Sequence, residues 1–172
     1  MARIHFAADH GGYELGRALE ARARAAGHDV AWHGADELDP GDDYPAFAIR
    51  VGASVVEDQD AGIDAFGVLV VDESDAGIIA ANKVNGARAV GAASPRAAAN
   101  TRQVVDANVL VFAGIAFEEN AWLTMAAFIA TPLPHNVERG RQILQIEEYE
   151  NSGTIEGWAV QLEPEQIVVA RD

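Results

Sequence analysis

The sequence predicts an α/β fold, a Rossmann-like doubly wound sheet of five parallel strands with helices on both faces. Three observations carry this. Five short β-branched or apolar runs recur through the first 115 residues. Longer stretches with helical spacing separate them. Glycines or helix-capping residues stand where strand and helix meet. Strands joined by helical crossovers of about ten residues or more imply right-handed βαβ units and a parallel sheet covered on both sides.

The strands are read at Arg3–Ala8, Asp29–His33, Phe66–Val71, Arg88–Ala92 and Asn108–Phe112. In the first intervening stretch Leu15, Leu19 and Ala23 recur every four residues among arginines and glutamates, giving an amphipathic helix that stops at Gly27. The second helix starts near Pro45, a good first-turn residue, with Asp43 available as its cap. Ser94-Pro95 opens another in the same way, ending near Val104. After the fifth strand come a helix over Glu118–Ala130, a Thr131-Pro132-Leu133-Pro134 break and a helix from about Asn136 to Glu150. Residues 1–150 read as one domain. Residues 151–172, with Trp158 and the run Ile167-Val168-Val169, read as an extension that packs on the domain or on a partner chain.

Composition narrows the function. Apolar residues make up 49% of the 172, which argues against disorder. No apolar run reaches bilayer length and the N-terminus lacks a basic and then apolar leader, so a cytoplasmic location is expected. With no cysteine there is no disulfide, thiolate zinc site or cysteine base. The net charge of -15, from 27 acidic and 12 basic residues with Lys83 the one lysine, repels nucleic acid and anionic membranes. It also repels phosphorylated metabolites, so a phosphate site needs local arginines.

Ligands of doubly wound sheets bind beyond the carboxyl ends of the strands, where strand order reverses. Four motifs are of interest on that basis. Ala8-Asp9-His10-Gly11-Gly12 leaves the first strand, with glycines that let a ligand approach and a helix N-terminus that favours an anion. Asp9 there is equally readable as a helix cap. Asp42-Asp43-Tyr44-Pro45 reads on composition as a helix start with an exposed tyrosine. In Val71-Asp72-Glu73-Ser74-Asp75-Ala76-Gly77, three acids crowd one strand-to-helix turn. Capping and the helix dipole account for one or two of them. All three together suit sugar hydroxyls, a cation or proton transfer. Finally, His135 and Arg139 lie four apart at the start of the late helix, a solvated basic turn or an anion clamp.

Taken in order, ADHGG after the first strand, DYP before the second helix, AANKVNGARA after the third strand and NVLVFAG on the fifth resemble the family of type B ribose-5-phosphate isomerase and the two galactose-6-phosphate isomerase subunits. The resemblance runs from Ile4 to about Glu150. It implies a Rossmann-like domain working as a homodimer or a pair of dimers, with active sites shared between subunits. It implies aldose–ketose isomerisation of a small sugar or sugar phosphate through an enediolate, with no metal and no cofactor. On that likeness Asp9 and His10 belong to the substrate pocket, and Gly11, Asp75, Gly77, Asn82, Arg102 and His135 are expected to bind substrate beside them. Tyr44 packs on the sugar, and Arg139 from a partner chain holds phosphate.

The departures from the family pattern matter as much. The third-strand cysteine that serves many members as base is Val71, and the loop glutamate that serves others is Gly77. The glycine-rich oxyanion loop is Asp72-Glu73-Ser74-Asp75, and the ring-opening histidine position is Val104. One of the usual phosphate arginines is replaced by His135. A valine cannot move a proton, so the expected catalytic group shifts to Glu73 or Asp72 as base, with Ser74 as a donor. Two other readings stay open. One is a non-catalytic or half-site subunit that needs a related partner. The other is a sugar- or metabolite-binding protein, including a carboxylate metal site from Asp9, Asp72, Glu73 and Asp75.

Overall fold

In the computed structural model, which describes residues 1–155 and 158–159, the strands β1 (Arg3–Ala8), β2 (Asp29–Trp32), β3 (Ala65–Val71), β4 (Ala89–Gly91) and β5 (Val109–Ala113) form one parallel sheet in the order β2-β1-β3-β5-β4. The helices between them are α1 (Tyr13–Ala25), α2 (Tyr44–Asp60), α3 (Ser74–Ala81) and α4 (Pro95–Val105), followed by α5 (Glu118–Ala130) and α6 (Val137–Ser152). Thr154–Ile155 (β6) pairs antiparallel with Trp158–Ala159 (β7). The run Ile167-Val168-Val169 lies outside the described residues.

Alternation along the buried strands builds two cores. Ile4, Phe6 and Ala8 of β1 join Phe66, Val68 and Val70 of β3 against Leu19 of α1 and Met125 and Phe128 of α5. The opposite side chains, Ala7, Leu69, Val71, Val109 and Val111, pack on Phe47, Val51 and Val55 of α2. Val51 and Val55 are fully buried, and each such side chain stabilises the fold by about 1.5–3 kcal/mol.

Several element ends differ from the sequence reading, each for a local reason. His33 falls just past β2, yet its N–H still donates to the Phe6 carbonyl at 2.7 Å, so the ladder outlasts the regular strand. β4 is an edge strand of three residues rather than five. Asn108 fixes its approach by accepting the Arg88 N–H at 2.7 Å. Asp43 occupies the N-cap position of α2 but makes no side-chain cap bond, whereas Ser94 accepts the Ala97 N–H as a true cap of α4. The late helix begins at Val137 with Asn136 as its cap, accepting the Arg139 N–H at 3.0 Å. His135 therefore precedes the helix and does not share a helical face with Arg139.

β1 is hydrogen-bonded to β2 on one side and β3 on the other. The chain thus leaves β1 in one direction and later crosses back past it. The exits of β1 and β3 flank this switch point, the place where open α/β sheets bind ligands.

Candidate active site

Three strand exits meet at the switch point, and glycine is what lets them touch. A Cβ on Gly11 would sit 2.6 Å from Cβ of Asp72. A Cβ on Gly12 would overlap the Val70 carbonyl, and one on Gly114 would overlap the carbonyl of Gly11. Backbone of β1, β3 and β5 is in direct contact here, leaving no room for any larger residue at these positions.

Asp9 joins the first two exits. It is 3% exposed, accepts the Gly12 N–H at 3.0 Å, and accepts the Asp72 N–H through both oxygens at 3.1 Å. Asp9 thus closes the turn that leads into α1, and it also ties the β3 exit to β1. Burial of a carboxylate is tolerated because it is hydrogen-bonded on this scale.

Beside it, His10 is half exposed and is gripped by a residue that the sequence reading passed over. Asp42 accepts the His10 backbone N–H at 2.8 Å and the ring Nδ1 at 3.1 Å on one oxygen, and its own carbonyl lies 3.2 Å from Nδ1. The hydrogen bond with Asp42 raises the His10 pKa above its ordinary value, against partial desolvation and aided by the charge of Asp9. Tyr44 begins α2 just after this contact and packs, half-buried, on the α2 side of the core.

Across the crevice, Asp72, Glu73 and Asp75 are exposed and Ser74 is half-buried at the start of α3. Among the described residues no arginine, lysine or histidine forms an ion pair with these three acids. Ser74 also lines a cavity of about 450 Å³ running toward Ala113, Phe117 and Asn120 at the β5 exit. Asp9, Asp72, Glu73 and Asp75 do not converge as a cation cage: no group of three or more metal-ligating side chains occurs among the described residues.

Five expected site residues stand elsewhere or serve the fold. Gly77 is buried inside α3, where a Cβ would lie 2.8 Å from Val71 and 3.1 Å from Leu69, so it seats the helix on the sheet. Asn82 spends its amide on β4, donating to the Ala89 carbonyl at 2.9 Å and accepting the Ala89 N–H at 2.7 Å. Arg102, 8% exposed, binds Asp106 at 2.6 Å and the Ala107 carbonyl at 2.7 Å, with its guanidinium against Phe66 and Phe128. Both lie near helix C-termini, and helices between parallel strands run back toward the amino edge, away from the crevice. His135 is exposed just before α6 and Arg139 is half-buried in its first turn, where Arg139 reaches Gln142 and no crevice residue.

A family model described as Ribose/Galactose Isomerase matches residues 4–146. The chain belongs to the ribose/galactose isomerase family. It is 32% identical over 151 residues to ribose-5-phosphate isomerase B of Mycobacterium tuberculosis, covering 87% of this chain and 91% of the relative. The Escherichia coli K12 protein of that name is 35% identical over 112 residues, 65% of this chain and 72% of the relative.

Solved isomerase structures agree in fold. That of Mycoplasma genitalium ribose-5-phosphate isomerase B with bound ribulose-5-phosphate superposes with a TM-score of 0.80 at 28% identity, over 87% of this chain and 97% of that one. The type B enzyme of Trypanosoma cruzi gives 0.80 at 28% identity, over 90% and 99%. Val71 is fully buried against the space that a side chain at Gly77 would need.

Proposed function

We propose that the protein is an aldose–ketose isomerase of the ribose-5-phosphate isomerase B type, acting on a small sugar phosphate or its neutral counterpart. One observation carries the reading. Asp9 and His10 stand at the β1–β3 switch point, tied to the β3 exit by hydrogen bonds of Asp9 to Asp72, in a chain of this family.

The base is taken to be a carboxylate of the Asp72–Asp75 turn, Glu73 first and Asp72 second. Isomerisation needs a group within hydrogen-bond reach of the proton beside the carbonyl, and these side chains are exposed at the crevice mouth. Ser74 and the first-turn amides of α3, which have no partners within the helix, are the available donors for the developing oxygen charge. No cofactor enters the reading.

The turn is strongly anionic, so phosphate must be held away from it by cations. Arg139 serves this role only from a second copy, which implies a homodimer or pair of dimers with shared sites. A half-site role beside a related partner subunit is the second reading. It is favoured by the closure of position 77 against Val71, which leaves this chain without a group at either of those places.

The test is proton NMR of the full chain with four- to six-carbon aldoses and ketoses, each with and without phosphate. Growth of ketose signals from one member supports the isomerase and names its substrate class. Silence across the panel from folded protein contradicts it and favours the half-site reading. A faster reaction with the neutral sugar supports the acidic turn as the selector of substrate charge.

A further inference from the structure

The acidic turn leaves a chemical difficulty. Removing the proton beside a carbonyl builds negative charge on the carbonyl oxygen, and Asp72, Glu73 and Asp75 raise the energy of any anion formed near them. Protonating that oxygen as the charge forms removes the difficulty, so the site needs an acid.

We propose that His10 is that acid, held in place by Asp42, and that the pair moves protons at the substrate's oxygens. The proposal rests on the isomerase reading above. Asp42 presents both its Oδ1 and its backbone carbonyl to Nδ1 of His10, at 3.1 and 3.2 Å. Two acceptors at Nδ1 place a proton there, which leaves Nε2 as the working nitrogen. Among the described residues Nε2 has no protein partner, and the side chain is 41% exposed. Asp42 itself is 8% exposed, and its second oxygen is buried without a hydrogen bond. His10, through its backbone N–H and its ring, is therefore the one residue among those described that this carboxylate binds, the arrangement of an orienting acid behind a working histidine.

The charged groups that act on the ring are Asp42 from the loop before α2 and Asp9 from the β1 exit. Both favour the imidazolium. In the aldose direction Nε2–H gives its proton to O1 while the carboxylate takes the proton from C2. The C1–C2 double bond of a neutral enediol forms as the C2–H bond breaks. The carboxylic acid then returns its proton to C1, O2–H gives its proton to Nε2, and the C2 carbonyl forms. Imidazolium and carboxylate are both restored. His10 is the catalytic residue in this scheme and Asp42 the positioning one.

The experiment compares full-length wild type, His10→Gln and Asp42→Asn for kcat and KM on ribose 5-phosphate or the active panel member, across the titration range of imidazole. His10→Gln is expected to lose about 100-fold or more in kcat with KM changed by less than about three-fold. In the wild type, activity should decline as pH rises through the His10 pKa, and Asp42→Asn should move that limb to lower pH. A His10→Gln enzyme with wild-type kcat, or an Asp42→Asn limb that stays in place, overturns the proposal and leaves the isomerase reading standing. If His10→Gln fails to fold, the Asp42→Asn profile decides. No turnover by the wild type overturns both.

Discussion

The carboxylate of Asp9, at the end of the first strand, receives the backbone N–H of Asp72, at the end of the third, through both of its oxygens at 3.1 Å. One side chain thereby sets the distance between the two loops that form the crevice. Asp9→Ala removes this clamp and leaves the part-buried Asp72 amide without its acceptor, while the Gly12 amide keeps the backbone carbonyl of residue 9 at 3.1 Å. The expected cost is about 1–3 kcal/mol of stability, read from denaturant midpoints. Turnover should fall at least as steeply, because the acidic turn would lose its register against His10.

Glu73→Gln keeps the size of the side chain and removes its basicity. If Glu73 is the base, kcat falls by about 10²–10⁴-fold with little change in KM. Unchanged kcat excludes Glu73 and passes the role to Asp72, which Asp72→Asn tests in the same assay.

Replacing Gly77 by glutamate, the residue of other family members, should not improve the enzyme. The first carbon of any side chain there meets Val71 at 2.8 Å. Gly77→Ala is expected to destabilise by about 1–3 kcal/mol through overpacking. Val71→Ala in the same chain should recover part of that loss, a non-additivity measured by a double-mutant cycle.

Much of this architecture is legible in the sequence, because a parallel sheet buried on both faces writes its strands as uninterrupted apolar runs. Glu118–Ala130 and Arg3–Ala8 coincide with the observed elements, and the exits carrying Asp9 and Asp72 follow from strand order. What escaped is what depends on direction and distance. Asn82 and Arg102 look like site residues by motif, yet each sits at the far end of a helix that has already returned to the amino edge. Asp42 is 32 residues from His10 in sequence. The available signal was an acid two residues ahead of a helix that starts beside the crevice, but neighbouring Asp43 masks which of the two turns inward. Gly77 reads as a loop position because nothing local reveals that α3 has begun and lies against Val71.

Arg102→Met separates fold from site. The guanidinium satisfies Asp106, a residue held at a left-handed φ of 47° that Arg88 also grips at 2.8 Å. Removing one partner from this part-buried pair, while Arg88 still holds Asp106, is expected to cost about 1–3 kcal/mol. Turnover per folded molecule should stay within about two-fold of wild type, since the residue lies at the amino edge. A large rise in KM at full stability would return Arg102 to the substrate.

Acid sensitivity should trace to a second histidine pair on the α2 side of β1. His5 Nε2 lies 2.9 Å from the Asp58 carboxylate, and its Nδ1 lies 2.8 Å from His33 Nε2. Burial, and then the charges of His5 and Arg50, lower the His33 pKa below 6.5, with Asp58 opposing. The folded state thus keeps His33 neutral while the unfolded chain takes up a proton. Stability is intact above about pH 6.5 and declines as pH falls below it toward the folded value. Denaturant titrations at several pH values should show this slope, and His33→Gln should flatten it.

The most direct test of the central claim is solvent isotope exchange. Wild-type protein is incubated with ribose 5-phosphate in D2O, and the proton on the carbon beside the carbonyl is followed by NMR. The account predicts deuterium appearing there together with ribulose 5-phosphate, and loss of both in Glu73→Gln or Asp72→Asn. Folded protein that produces neither, with this sugar or its four- to six-carbon relatives, would contradict the claim that the acidic turn of this chain moves a carbon-bound proton.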